Sequence, residues 1–148
     1  MTEDIQVVAF KIDNEEYAID IKGVQEIIRV SPITRVPYSS SYMSGVINLR
    51  GMVIPVMDIR KRFGSSERTY DETSRIIITR WNELLVGMLV DGVTEVIRLR
   101  VKDIEHPSSF STNFTSDAFS GMGKIGNRVL MIINMNNVIE IKNDIDGC

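Results

Sequence analysis

Histidine and cysteine are nearly missing from this chain, with one of each among 148 residues. A single cysteine, Cys148, excludes an intrachain disulfide and fits a reducing, cytoplasmic setting. As a nucleophile it would need a protected electropositive pocket, which the end of a chain seldom offers. His106 precedes Pro107 in a polar stretch, with no orienting partner in its neighbourhood, and reads as a loop residue rather than a general base. No ligand cluster with metal spacing and no glycine-rich phosphate loop follows a strand. The expectation is therefore no catalytic residue, no metal and no cofactor. Scattered carboxylates leave open only an acidic pair assembled in three dimensions.

Positive charge is also in short supply. Seventeen basic side chains face twenty acidic ones, for a net charge of −3. That is a poor footprint for binding a phosphate backbone. Long hydrophobic runs are absent: the longest, Val129 to Ile133, has the length of a strand and falls far short of the roughly 18 residues of a membrane helix. The acidic start, Met1-Thr2-Glu3-Asp4, has no signal-peptide character. Leucine and alanine are scarce too, totalling 9 against 36 isoleucines and valines. Branching at Cβ restricts χ1 and suits a pleated surface better than a helix. A chain of this length buries roughly 70% of its unfolded surface without a staple. The class is a β-rich globular protein.

What the chain has instead is a repeat. Lys22-Gly23-Val24-Gln25-Glu26-Ile27-Ile28-Arg29-Val30 reads against Asp91-Gly92-Val93-Thr94-Glu95-Val96-Ile97-Arg98-Leu99, an offset of 69. Further on, Ser40 to Gly45 matches Ser116 to Gly121, and Val53 to Ile59 matches Val129 to Met135, both at an offset of 76. Matches in the same order argue for internal duplication. Each unit holds about five strand-like runs; in the first they are Ile5 to Ile12, Tyr17 to Ile21, Ile27 to Val30, Val46 to Leu49 and Val53 to Met57. Asp13-Asn14 suits a tight turn between the first two. Five short strands curl into a small barrel that leaves few open edges.

The predicted class is all-β: two five-stranded SH3-like or OB-like β-barrel subdomains with short connecting helices. Residues 5–64 form the first unit, 65–74 a polar linker and 75–142 the second. Short helical turns are expected at Ser39 to Met43 and Ser116 to Phe119, and short helices at Asp58 to Phe63 and Asn136 to Ile141. Pro107 to Ser116 reads as a polar loop. Pro55 inside a strand implies an edge or a bulge, because proline cannot donate to a ladder.

The densest segment, Gly45-Val46-Ile47-Asn48-Leu49-Arg50-Gly51-Met52-Val53-Ile54-Pro55-Val56-Met57-Asp58-Ile59-Arg60-Lys61-Arg62-Phe63-Gly64, resembles the CheW family of bacterial chemotaxis coupling proteins. Gly87 to Val96 and Tyr17 to Ile27 resemble two further hallmarks of that family, and the likeness runs from about Val7 to Ile141. The resemblance implies strands exchanged between barrels. It also implies a non-enzymatic adaptor joining the cytoplasmic tips of chemoreceptors to the histidine kinase CheA, monomeric outside receptor arrays and not inserted in the membrane. The kinase's regulatory domain shares the fold, so barrels pair with barrels.

Ile21, Val24, Ile27 and Ile28 are spaced three and four apart where strand alternation should govern, so some of them, with Val8, are expected to face outward. The resemblance assigns Val8, Ile21, Val24 and Ile27 to the kinase regulatory domain. It assigns Val24, Gly45, Arg50 and Val96 to receptor coupling, in a cleft between barrels. Glu26 joins them as a rim charge. Arg50, in a turn, has the planar fork to lie across a groove and donate to carboxylates. Gly45 is expected to admit a close backbone approach. The alternative, a nucleic-acid-binding barrel, draws on Arg60-Lys61-Arg62-Phe63 and Arg98-Leu99-Arg100, against ten aromatics and an acidic balance.

Overall fold

The computed structural model describes residues 3–37, 42–62, 70–81, 83–105 and 119–134. Its strands are β1 (Asp4–Ile12), β2 (Glu15–Asp20), β3 (Val24–Arg29), β4 (Met43–Leu49), β5 (Met52–Asp58), β6 (Arg75–Trp81), β7 (Leu84–Val90), β8 (Gly92–Arg100), β9 (Ile104–Glu105), β10 (Phe119–Ile125) and β11 (Arg128–Ile133). One short helix, α1 (Ile59–Arg62), follows β5. The expected helical turns around 39–41 and 116–118, the loop from Pro107, and the helix from Asn136 lie outside the described residues, as do His106 and Cys148.

Two sheets carry the all-β architecture. A six-stranded sheet has the order β8-β1-β2-β11-β10-β9, and a five-stranded one the order β3-β6-β7-β5-β4. These orders are the same pattern twice: an edge strand, then a hairpin, then a parallel step, then a second hairpin. In the first sheet β2 and β11 run parallel, and in the second β7 and β5 do. Each sheet takes its first hairpin from the other half of the chain. Strand exchange follows directly, since β1 and β2 pair with β8 and β11 while β6 and β7 pair with β3 and β5. Thr34 bridges to Val46 on β4 just as β9 pairs with β10.

Local chemistry accounts for the joints. Asp13 takes φ 56° in the β1–β2 turn, where a short polar side chain tolerates left-handed backbone. Asp20 accepts from Lys22 N at 2.9 Å and caps a 3-10 turn, Ile21–Gly23, that redirects the chain from one sheet to the other. Pro55 precedes the first β5–β7 pair, Val56 with Gly87, so on that side it lies at an unpaired end. Beyond it, Asp58 Oδ1 accepts from Arg60 N at 3.0 Å and starts α1.

Alternation along the strands sorts side chains into three cores. Ile47, Ile54, Val56, Ile76, Ile78 and Leu89 fill the five-stranded sheet. Val7, Ala9, Ala18, Ile97, Leu99, Leu130 and Ile132 fill the six-stranded one. The third core lies between them, with Val8, Phe10, Ile12, Tyr17 and Ile19 from one sheet against Met57, Ile77, Val86, Met88 and Val90 from the other. Tyr17 stacks between Phe10 and Phe119 at centroid distances of 5.9 and 6.0 Å. β-Branched residues dominate the core of the five-stranded sheet and the core between the sheets, in keeping with the composition.

Candidate functional site

Two of the residues singled out by sequence meet directly. Arg50 occupies the β4–β5 turn at φ 50°, and its Nη1 donates to Glu26 Oε1 at 3.3 Å while Nη2 pairs with Oε2. This two-point geometry is the one a guanidinium fork makes best. The Glu26 carboxylate raises the guanidinium's pKa, chiefly by accepting its hydrogen bonds. Arg50 remains 69% exposed, so the pair stands at the surface with a face to offer a partner.

The aliphatic set divides differently from expectation. Val8 is 1% exposed and belongs to the core between the sheets, which corrects the expectation that it faces outward. Its strand, β1, is paired on both sides, through Ile19 on β2 and Val96 on β8, so the side chain has neighbours all round. Ile21 and Val24 are half-buried and pack against the margin of the same core. Ile27 shares the face of its partner Ile77 but sits on the edge strand and is 38% exposed, while Ile28 packs into the core of the five-stranded sheet. A register shift between Val24 and Glu26 interrupts alternation on β3, so Val24 and Ile27, three apart, pair with Thr79 and Ile77 on one face of the sheet, and Ile21 lies on the 3-10 turn before it. Val96 shares the face of Val8 but sits on an edge strand, and is 52% exposed.

Gly45 is buried, and the close approach it permits is internal. At φ 145°, a Cβ there would lie 2.1 Å from the carbonyl oxygen of Thr34. The residue therefore seats the Thr34 segment against β4, through the paired bonds Thr34 N to Val46 O and Val46 N to Thr34 O, both 2.8 Å.

Sequence reasoning missed a second apolar surface. Met52, Val53 and Leu84 are exposed, Val53 at 71%, and with Val36, Met43 and Pro55 they line a groove of about 460 Å³ on the five-stranded sheet. Among the described residues Glu83 is the one charged residue lining it. The signal was present: Met52 and Val53 are consecutive, so alternation must leave one of them outside. A larger cavity of about 850 Å³ lies at the junction of the sheets, lined by Lys11, Asp13, Arg29, Asp71, Asp91 and others. It is polar, and none of the residues assigned to receptor coupling lines it.

The six-stranded sheet carries a related clasp. Arg128, beginning β11, donates through Nε and Nη2 to Glu16 at 3.0 and 2.7 Å and through Nη1 to Glu95 at 2.5 Å. Glu95 is the repeat counterpart of Glu26. Of the basic runs that suggested nucleic acid, Arg60 is buried, while Arg98 and Arg100 are exposed on either side of the buried Leu99. Among the described residues no group of three or more acidic, histidine or cysteine side chains is placed to hold a metal ion. No described helix is long and apolar enough to cross a membrane.

This geometry has close counterparts. The family model described as "CheW-like domain" matches residues 6–142. A chemotaxis protein CheW of Bacillus subtilis is 35% identical over 144 residues, covering 95% of this chain and 92% of that one. One from Klebsiella aerogenes is 33% identical over 130 residues, covering 88% and 78%. Among solved structures, the scaffolding protein TtCheW of Thermoanaerobacter tengcongensis superposes with a TM-score of 0.84 at 35% identity, covering 93% of this chain and 94% of that one.

Proposed function

The chain belongs to the CheW-like family, and from that premise we propose that this non-enzymatic chemotaxis adaptor couples the cytoplasmic tips of chemoreceptors to the histidine kinase CheA. The observation that carries the reading is the concentration of exposed aliphatic side chains on the five-stranded sheet: Ile27 on β3, Met52 and Val53 on β5, and Leu84 on β7. A surface of this kind, with few charges at its centre and a polar margin, is what a partner of like shape desolvates.

In this reading Ile21, Val24 and Ile27 meet the kinase regulatory domain, and the groove of Met52, Val53 and Leu84 enlarges that contact. Val8 acts from beneath, holding Ile19 and Val96 in place without touching the partner. The receptor tip takes Val24, Glu26 and Arg50 from the five-stranded sheet and Val96 from the edge of the six-stranded one. Its helical hairpin lays an apolar ridge there, and the Arg50–Glu26 pair sets orientation. Gly45 contributes through the Thr34 segment. The protein works in the cytoplasm beside membrane receptor arrays.

Co-sedimentation with a receptor cytoplasmic fragment, with and without the kinase, tests the proposal. A ternary complex in which kinase phosphorylation responds to the receptor supports it. Recruitment of neither partner overturns it.

A further inference from the structure

Arg60 is the one basic residue buried among the described residues, at 2% exposed. An arginine stays protonated, so a full charge sits inside the protein and has to be matched there. It is matched from two directions. Nη2 pairs with Asp91 Oδ1, and Nε lies 3.9 Å from Asp13 Oδ1. The ring of Tyr70 covers the guanidinium, with Cζ 5.6 Å from its centroid. Tyr70 is itself held, its hydroxyl donating to Asp58 Oδ2 at 2.7 Å.

The positions of these residues in the chain give the cluster its meaning. Arg60 stands on α1, directly after β5 of the five-stranded sheet. Asp91 is the single residue between β7 and β8, where the chain leaves the five-stranded sheet for the six-stranded one. Asp13 forms the β1–β2 turn of the six-stranded sheet. Asp91 also accepts from Asp13 N at 2.5 Å through Oδ2, and its own N donates to Lys11 O at 3.0 Å. One side chain from one sheet therefore engages both the crossover and a turn of the other. The two sheets also share an apolar core, which is non-directional.

We propose that Arg60 is a positioning residue: its ion pair with Asp91 fixes the mutual orientation of the two sheets, and so the shape of any surface to which both contribute. Buried ion pairs are weak stabilisers compared with apolar residues of equal volume, but they are directional. The inference rests on the proposed function in one respect. The receptor surface draws Val24, Glu26 and Arg50 from one sheet and Val96 from the other, whereas the kinase surface lies on the five-stranded sheet and the turn that leads into it. Loss of the strut should weaken the first and spare the second.

The test uses the full chain with Cys148→Ser and spin labels at Arg29→Cys and Arg98→Cys, exposed repeat counterparts on β3 and β8. Electron–electron distance measurements are made with and without Arg60→Met/Asp91→Asn. This pair removes both charges together, leaving neither buried alone. Arg60→Lys, which keeps the charge and loses the fork, is the second variant. The distance distribution is expected to broaden or shift in both, with receptor-fragment affinity falling at least about fivefold, the lower end of typical coupling between sites, and kinase-domain affinity unchanged. A distribution as narrow and centred as the parent's in both variants overturns the strut. So does a receptor affinity that moves no more than the kinase affinity. If the parent protein binds neither partner, the adaptor reading fails while the distance measurement still decides the strut.

Discussion

Arg50 and Glu26 are in contact although their elements stand at opposite ends of the five-stranded sheet. Glu26 is on the edge strand β3, and Arg50 belongs to the β4–β5 hairpin at the other end of the order β3-β6-β7-β5-β4. Only a strongly curled sheet brings these ends within reach of one side chain. The pair is exposed, so its worth to stability is small and screened by salt. Arg50→Ala and Glu26→Gln are each expected to leave the thermal midpoint nearly unchanged while lowering affinity for a receptor fragment. Calorimetry beside a pull-down at low and high salt checks this. A large fall in midpoint with binding intact would give the pair a structural role instead.

Arg50 also separates function from stability through its backbone. A non-glycine residue at φ 50° bears strain of about 1 kcal/mol or more. Arg50→Gly relieves it, offset in part by the greater freedom of glycine in the unfolded chain. The expected variant is as stable as the parent or up to about 1 kcal/mol more so, and defective in receptor binding. Urea titration reads the first quantity and co-sedimentation the second. A clearly less stable variant would mean that the Glu26 contact holds the turn.

The contrast between Val8 and Ile27 shows what sequence made legible. The repeat, the β class and the Asp13 turn were all readable, because each depends on local chemistry or on period. The Arg50–Glu26 pairing was not, since it depends on curl that brings distant strands together. Val8 was misplaced for a related reason: alternation says which residues share a face, but not which face a second sheet covers. Its neighbours Phe10 and Ile12 share that face and are equally buried. Arg60 looked like surface charge because nothing local reveals that Asp91 and Asp13 converge on it.

Those placements give opposite predictions for two aliphatics. Val8→Ala removes buried methyls from a packed core and should lower stability by about 1–3 kcal/mol, with partner affinity unchanged under native conditions. Ile27→Asp or Val53→Asp should keep far-UV circular dichroism and the urea midpoint, yet abolish binding of the kinase regulatory domain. Kinase binding undiminished in both Asp variants would remove the five-stranded sheet from the docking model.

Gly45→Ala is expected to be damaging for internal reasons. Its Cβ would displace the Thr34 carbonyl and the Ile33 side chain, 2.1 and 2.9 Å away, on a backbone at φ 145°. Strain of this kind amounts to about 1–3 kcal/mol, and the two Thr34–Val46 bonds should loosen with it. Amide hydrogen exchange at Val46 reports this directly. Faster exchange with weaker receptor binding fits an indirect role for Gly45, whereas lost binding with native protection at Val46 would mean that the partner touches the glycine itself.

Acid should act on the other clasp. Hydrogen bonds from Arg128 hold the Glu16 carboxyl below its ordinary value of 4.5, desolvation partly opposing them. A carboxyl whose folded pKa is depressed stabilises the protein fully above its unfolded pKa, and the contribution is lost as pH falls through the folded one. Arg128 is partly open to solvent, so screening keeps the contribution at about 1 kcal/mol or less. Urea unfolding should therefore find Glu16→Gln less stable than the parent at pH 7. The gap should hold down to about pH 4.5, the ordinary carboxyl value, and close on further acidification, because a protonated Glu16 resembles the glutamine. A gap that persists unchanged to the acid limit of the folded range would show that the Arg128 contact is not what the substitution removes.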